Sequence, residues 1–146
     1  MASWSRFEQE APDLAKRVAA RFQATKHQVL ATLRRDGSPR ASGTEVEFES
    51  GDIFLGSMGR SVKARDLQRD PRFALHANPG DGSMRGGDAK ISGTVEEVVA
   101  PVSHPGSHRF RMSIAQVVLT SLHPDGDRLV IETWKPGRPV RRRERF

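Results

Sequence analysis

The stretch HQVLATLRRDGSPRASGTEVEFESGDIFLGS, residues 27–57, decides the fold class because apolar and polar residues alternate along it. Val46 and Phe48 fall on one face of residues 40–50 and three glutamates fall on the other, which is the two-residue period of a half-buried strand. The segments RDGSPR (35–40) and SGD (50–52) interrupt this alternation with residues that favour turns. Residues 27–57 therefore predict an antiparallel meander of three strands.

Segments with the same period continue after the meander, between loops rich in glycine. They predict strands over residues 72–78, 88–99, 109–122 and 128–134. A helix over residues 11–25, where apolar residues recur every four positions, precedes the strands, and a short helix over residues 61–69 interrupts them. Because the chain lacks βαβ spacing, we expect a mainly β fold in which six or seven antiparallel strands form a barrel.

The composition limits the class of protein. The 146 residues predict one domain over 1–146, with flexible ends at 1–10 and 139–146. The absence of cysteine excludes disulfides, catalytic thiolates and cysteine-ligated metals. No segment has the length and apolarity of a membrane span, and the N-terminus lacks a signal-peptide pattern. We therefore expect a cytoplasmic protein with no membrane partner.

The charge balance is basic, with 24 Lys and Arg residues against 18 Asp and Glu. The excess is concentrated in the tail KPGRPVRRRERF, residues 135–146. A basic chain favours an anionic partner, such as a phosphate-bearing cofactor, a polycarboxylate or a nucleic acid. Because basic and aromatic residues are not interleaved on a predicted β-face, nucleic acid is the least favoured of the three.

The stretch GSMGRSVKARDL, residues 56–67, leaves a strand through glycine and serine and enters the short helix. Ser61 stands at the expected N-cap, and Lys63 falls in the first turn, where the helix dipole disfavours a cation. That lysine is explained if an anion lies between its ammonium group and the free amides of the first turn. The alternative is that Ser61 only caps the helix while Lys63 is a solvated surface charge.

No other part of the sequence carries a self-sufficient catalytic or metal-binding set. The five histidines are scattered, and no serine has the context of a nucleophile elbow. We therefore assign no catalytic residue and no metal site. An anion cradle on a β-barrel favours a protein whose cofactor carries the chemistry.

Four motifs occur together in a defined order: VLATLRRDGSPRAS (29–42), GDIFLGSMGRSVKARDLQRDPRFALH (51–76), GDAKISGTVEEV (87–98) and LVIETWKPGR (129–138). In this order the chain resembles the pyridoxamine 5′-phosphate oxidase-like, FMN-binding split β-barrel family. It is most similar to the small branch of oxidoreductases that use flavin or the deazaflavin coenzyme F-420. The resemblance implies a split barrel in which residues 61–69 form the helix that binds the cofactor phosphate.

The resemblance also implies site residues. The family's Ser-Arg-Lys motif, which holds the cofactor phosphate, falls on Ser61, Val62 and Lys63, so the arginine is missing and Arg60 is the candidate to replace it. The other implied cofactor contacts are Gly56 and Ser57 at a strand end, Arg40, Ala41 and Ser42 on the second strand, Asp88 where oxidases place a glutamine facing the flavin ring, and Trp134 and Arg138 near the cofactor or its tail. Trp134 could also simply close the barrel.

The family further implies a homodimer with two cofactors at the interface, each touched by both chains. The resemblance leaves FMN and F-420 open as cofactors, and hydride transfer to or from a small organic substrate is the implied reaction. Oxidation of vitamin B6 is not expected, because the oxidases' C-terminal substrate motif is not recognisable here. The alternative function is a non-catalytic protein of the same fold that binds flavin, haem or another tetrapyrrole.

Overall fold

Three helices lie in the first half of the chain. A computed structural model, which describes residues 1–146, places α1 at Trp4–Glu10, α2 at Pro12–Gln23 and α3 at Val62–Arg69. Pro12 begins α2 and Asp13 lies in its first turn, which are the residue types that suit a helix N-terminus. The apolar stripe of α2 is buried, as the four-residue recurrence of Leu14, Val18 and Phe22 predicts.

The chain also forms nine strands. They are β1 (Gln28–Leu33), β2 (Pro39–Thr44), β3 (Val46–Glu49), β4 (Asp52–Ser57), β5 (Arg72–His76), β6 (Asp88–Val98), β7 (His108–Leu122), β8 (Leu129–Trp134) and β9 (Arg141–Arg145). Every pairing between them is antiparallel. The predicted fold class, a mainly β antiparallel split barrel, is confirmed.

The strands form one sheet in the order β2-β1-β5-β6-β7-β4-β3, and β8 and β9 extend it from β7. The long strand β7 pairs with β4 through its first residues, from His108 to Arg111, and with β8 through its last, from Val117 to Leu122. Strand β2, at one end of the sheet path, approaches β4, the last strand but one at the other end, without pairing with it. The barrel is therefore open between β2 and β4, and α3 follows directly after β4.

The strand count exceeds the predicted six or seven for two reasons. The predicted strand 40–50 is interrupted at Glu45, so that β2 pairs with β1 and β3 turns back onto β4. The tail, expected to be flexible from residue 139, contributes β9, whose five residues pair with β8 although all are exposed. Backbone pairing with β8, not burial of side chains, places this basic segment in the sheet.

The N-terminal segment 1–10 was also expected to be a flexible end, and the structure corrects this. Ser3 caps α1 by accepting a hydrogen bond from the Arg6 amide at 3.1 Å. Trp4 and Phe7 are buried, and the Phe7 ring lies 4.7 Å from the Trp134 ring. An aromatic cluster at the end of the barrel thus holds α1 in the core.

The side chains of strand β1 alternate between the two faces of the sheet. Its inner face carries Gln28, Leu30 and Thr32, all buried, whereas Val29 on the opposite face is 43% exposed. The buried Gln28 amide donates to the Phe22 and Thr25 carbonyls at 2.8 Å, so its burial leaves no polar group without a partner. The apolar residues Val29 and Ala31 consequently point away from the core.

No helix of the chain is both long enough and apolar enough to cross a membrane.

Candidate functional site

The N-terminus of α3 offers unpaired backbone donors. Ser61 adopts an extended conformation, and its hydroxyl accepts a hydrogen bond from the Ala64 amide at 3.2 Å. The amides of Val62 and Lys63 have no acceptor within the chain. These two donors, together with the positive end of the helix dipole, favour an anion at this point.

Two serines connect the end of β4 to this helix. Ser57, the last residue of β4, is buried and its hydroxyl is hydrogen-bonded to the hydroxyl of Ser61. Between them, Arg60 has a φ of 68°, a left-handed conformation that is unfavourable for a residue with a side chain. The turn is thus held in a strained shape, and residues 56–63, which we call the anion cradle, form one hydrogen-bonded unit.

Lys63 is the half-buried cation of the cradle. Its Nζ donates to the Gly43 carbonyl on β2 at 2.9 Å, and it forms no ion pair. Burial lowers the pKa of Lys63, while the Glu45 carboxylate acts in the opposite direction. A half-buried ammonium group without a carboxylate partner is unfavourable by itself and would be stabilised by a bound anion.

Arg40, a predicted cofactor contact, is hydrogen-bonded to a buried carboxylate within the chain. Its Nε donates to Asp66 Oδ2 at 2.7 Å, and the same carboxylate accepts from Thr32 Oγ1 at 2.8 Å and from Arg69 at 3.0 Å. Burial raises the pKa of Asp66, but the hydrogen bonds from Arg40, Thr32 and Arg69 outweigh it and lower the pKa overall. Arg40 and Asp66 therefore fix α3 against β1 and β2, which positions the cradle.

The other second-strand residues point to opposite faces. Ala41 pairs with Ala31 and is exposed on the same face as Val29, whereas Ser42 pairs with the buried Leu30. Gly56 is exposed beside the buried Ser57 at the end of β4. Of the predicted residues, Gly56 to Lys63 are brought together at the opening between β2 and β4.

An exposed apolar surface begins next to the cradle. Cross-strand partners run from Gly43 on β2 through Val29 and His76 to Lys90 on β6, three strand spacings or about 14 Å in all. A depression of about 270 Å³ lies on this surface, which we call the outer face. It is lined mainly by small and apolar residues, among them Val29, Ala31, Ala74 and Val118.

Asp88 lies two residues from Lys90 along β6, and strand alternation puts both side chains on the outer face. One carboxylate oxygen of Asp88, Oδ1, is buried and has no hydrogen-bond partner. Such an oxygen is rare in a folded protein unless a ligand or partner supplies the donor. Asp88 thus lies on the outer face, beyond Lys90, at the end of the row of cross-strand partners farthest from the cradle.

Trp134 and Arg138 lie apart from the cradle, on the side of β7 that carries β8. Trp134 is completely buried against Phe7, so it presents no surface to a ligand within this chain. This placement agrees with the alternative that it closes the barrel. Arg138 is exposed in the turn after β8, and its side chain makes no contact with a carboxylate.

Sequence reasoning missed the polar groups that support the cradle. Asp66 was not singled out, because its partners Thr32 and Arg40 lie 34 and 26 residues away. His108 precedes the predicted strand 109–122, but it begins β7 directly opposite Ser57 and its Nδ1 lies 2.7 Å from Glu97. Glu97 also accepts from Gln68 of α3 at 3.0 Å, so this cluster fastens the other side of the helix.

A group of potential metal ligands occurs away from the cradle. His123, Asp125 and Asp127 bring their ligand atoms within 4.8 Å of one another. The guanidinium group of Arg128 lies among them, 2.9 Å from His123 Nε2 and 2.7 Å from Asp127. A cation is therefore already paired with these carboxylates.

The sequence matches the family described as pyridoxamine 5′-phosphate oxidase over residues 14–133. Three solved structures show the same fold. A pyridoxamine 5′-phosphate oxidase-related, FMN-binding protein from Nostoc punctiforme is 12% identical with a TM-score of 0.66, over 92% of this chain and 95% of the other. PhzG from Burkholderia lata, in complex with tetrahydrophenazine-1-carboxylic acid, is 13% identical with a TM-score of 0.65, over 94% and 90%.

The third structure, a heme-binding protein from Mycobacterium smegmatis, is 14% identical with a TM-score of 0.63, over 82% of this chain and 57% of the other. No functionally curated protein matches the sequence.

Proposed function

The chain belongs to the pyridoxamine 5′-phosphate oxidase family, and on that premise we propose that it binds a flavin-type cofactor, FMN or coenzyme F-420, and transfers hydride to or from a small organic substrate. A bound cofactor of this type would itself accept and donate the hydride. The chain would supply binding, orientation and exclusion of water, which agrees with the lack of a catalytic side-chain set.

The observation that carries the proposal is the donor set of the anion cradle. The free amides of Val62 and Lys63 and the half-buried Lys63 ammonium group suit a phosphate ester, which both cofactors contain. Val62 stands where the family has an arginine, and the exposed Arg60 is the candidate to replace it. The residues present therefore fit a cofactor phosphate.

The outer face supports binding of the ring system of the cofactor. A planar ring needs an apolar surface with a few polar groups at its edge, and the surface from Val29 to Asp88 has this character. The unpaired Asp88 Oδ1 would accept a hydrogen bond from an N–H group of the ring or of a partner chain. We therefore assign Val29, Ala31 and Asp88 to the ring and the cradle to the phosphate.

We further propose that the outer face is covered by a second copy of the chain. Val29 is 43% exposed in the centre of a sheet face that is otherwise mostly apolar, which is unusual for a surface in contact with water. Val29→Lys should shift the oligomeric state toward the monomer, as measured by sedimentation velocity. Val99→Lys, at an exposed valine in a loop, is the control and should not change it. A wild-type protein that sediments as a monomer would contradict this part.

Cofactor binding is tested by titrating the purified protein separately with FMN and F-420 and following absorbance and fluorescence. We expect one of them to bind at micromolar concentration, and Lys63→Ala to weaken binding about ten-fold or more through loss of a charge-assisted contact. Lys16→Ala, at an exposed lysine of α2, should have no effect. Failure of both cofactors to bind would refute the proposal, and equal effects of both variants would refute the assignment of Lys63.

One observation favours the alternative, a non-catalytic protein that binds haem. His76 lies on the outer face, and its Nδ1 hydrogen-bonds the Ala77 carbonyl, which leaves Nε2 available. A backbone carbonyl at one ring nitrogen is the usual support of a histidine that ligates metal. Titration with haemin would decide: a protein-bound Soret band that disappears in His76→Ala supports this function, whereas failure of the wild-type protein to bind haemin excludes it.

A further inference from the structure

A second concave surface, separate from the outer face, lies along α3. Five arginines, Arg34, Arg35, Arg40, Arg65 and Arg69, line a depression of about 510 Å³ between α3 and the β1–β2 turn. Two aspartates also line it, so its formal charge is +3, which is half of the chain's net charge of +6. We call this surface the arginine depression.

The two aspartates do not leave the arginines neutralised. Asp66 is 2% exposed and is saturated by Thr32, Arg40 and Arg69. Asp36 accepts hydrogen bonds from the amide and the hydroxyl of Ser38 within its own turn. Arg35 and Arg65 are exposed, and their side chains form no hydrogen bond or ion pair within the chain.

Part of the depression is held in a fixed shape. The buried Asp66 carboxylate orients Arg40 and Arg69, and Arg34 donates to the Pro39 carbonyl at 2.6 Å. A guanidinium fork that is already oriented loses less entropy when it binds, and its planar geometry matches phosphate and carboxylate groups. Arg35 and Arg65 then add two cations that repel the others unless an anion is present.

We propose that the arginine depression binds a small, multiply charged anion with two or more phosphate or carboxylate groups. The site spans α3 from Val62 to Arg69, about 10 Å along the helix axis, so one singly charged group cannot neutralise it. The depression adjoins the anion cradle at Val62, but Lys63 does not line it, so the proposal does not require a cofactor phosphate in the cradle.

The proposal is tested by calorimetric titration of the full chain with tripolyphosphate and, separately, with triglutamate. We expect at least one to bind, and Arg35→Gln combined with Arg65→Gln to weaken that binding about ten-fold or more, because two charged contacts are lost. Neither arginine supports the fold, so the double variant should remain folded. The better of the two probes identifies phosphate or carboxylate as the preferred group.

Two controls separate this site from other charges. Arg141→Gln combined with Arg143→Gln removes two exposed arginines of β9 that form no ion pair, and Lys63→Ala removes the cation of the cradle. Both should leave probe binding unchanged. The proposal is overturned if neither probe binds, if the β9 variant weakens binding equally, or if Lys63→Ala abolishes it, since the anion would then be attracted diffusely or bound in the cradle.

Discussion

Replacement of Asp66 by asparagine tests how α3 is held against the sheet. The side chain is 2% exposed and accepts hydrogen bonds from Thr32, Arg40 and Arg69. Asp66→Asn keeps the shape, removes the charge and puts an amide N–H₂ in place of one acceptor oxygen. Two arginines would then lose their anionic partner at a buried position.

The expected loss of stability follows from the exposure of the partners. Breaking a buried ion pair typically costs about 3–5 kcal/mol. Here the Arg40 and Arg69 side chains are 26% and 31% exposed, so water can solvate them after the substitution. We therefore expect a loss of about 2–4 kcal/mol in the free energy of unfolding, equivalent to a decrease in Tm of roughly 6–12 °C.

Urea unfolding at several pH values is the assay. Because the pKa of Asp66 is lowered on folding, its charged form stabilises the protein fully above the unfolded-state pKa, and this contribution is lost as pH falls through the folded pKa. The difference between wild type and Asp66→Asn should therefore be constant near neutral pH and become smaller in acid.

The matched control is Asp70→Asn. The Arg72 side chain lowers the pKa of Asp70 to about 2, but this pair lies at the surface, where screening leaves little net stabilisation. We expect Asp70→Asn to change stability only slightly. If Asp70→Asn destabilises as much as Asp66→Asn, or if the effect of Asp66→Asn persists unchanged in acid, the reasoning about burial is wrong.

Three further predictions concern other elements. Phe7→Ala should lower the free energy of unfolding in urea by about 3–5 kcal/mol, because it removes a buried ring from the aromatic cluster under α1. An effect as small as that of Phe146→Ala, at an exposed ring, would contradict this. Gly93→Ala should cost more than about 2 kcal/mol, since a Cβ would press on the Ser113 carbonyl at the bulge, while Gly43→Ala, with open space around it, should be tolerated. Arg60→Gly should raise the free energy of unfolding by about 0.5–1 kcal/mol, because glycine adopts a positive φ without strain, and it should weaken cofactor binding in the fluorescence titration. A lower free energy of unfolding would show that Arg60 is not strained.

The strands could be predicted where one face is polar and the other apolar. Strand β3 follows this rule, because Val46 and Phe48 are half-buried while Glu47 and Glu49 are exposed. The same rule misleads at β1, where the apolar face is the exposed one. Gln28 and Thr32 can be buried because Phe22 and Asp66, from other parts of the chain, satisfy their side chains.

The cradle could be predicted because its signals are local: a cap, a lysine and a strand end within eight residues. Its supports could not, since each depends on residues distant in sequence. α1 is only seven residues long and gains its stability from a contact between Phe7 and Trp134. The order of β9 depends on pairing with β8, which an Arg-rich segment of five exposed residues does not reveal.

The position of β7 in the sheet has a consequence for synthesis on the ribosome. Ser57 of β4 pairs with His108, which is translated 51 residues later, so the hairpin β3–β4 emerges with one edge unpaired. At typical rates of about 5–20 residues per second, this edge waits roughly 3–10 s for its partner. An unpaired strand edge is a template for association with other chains, so nascent chains are most vulnerable to aggregation in this interval. Only the arrival of β7 joins the two halves of the barrel.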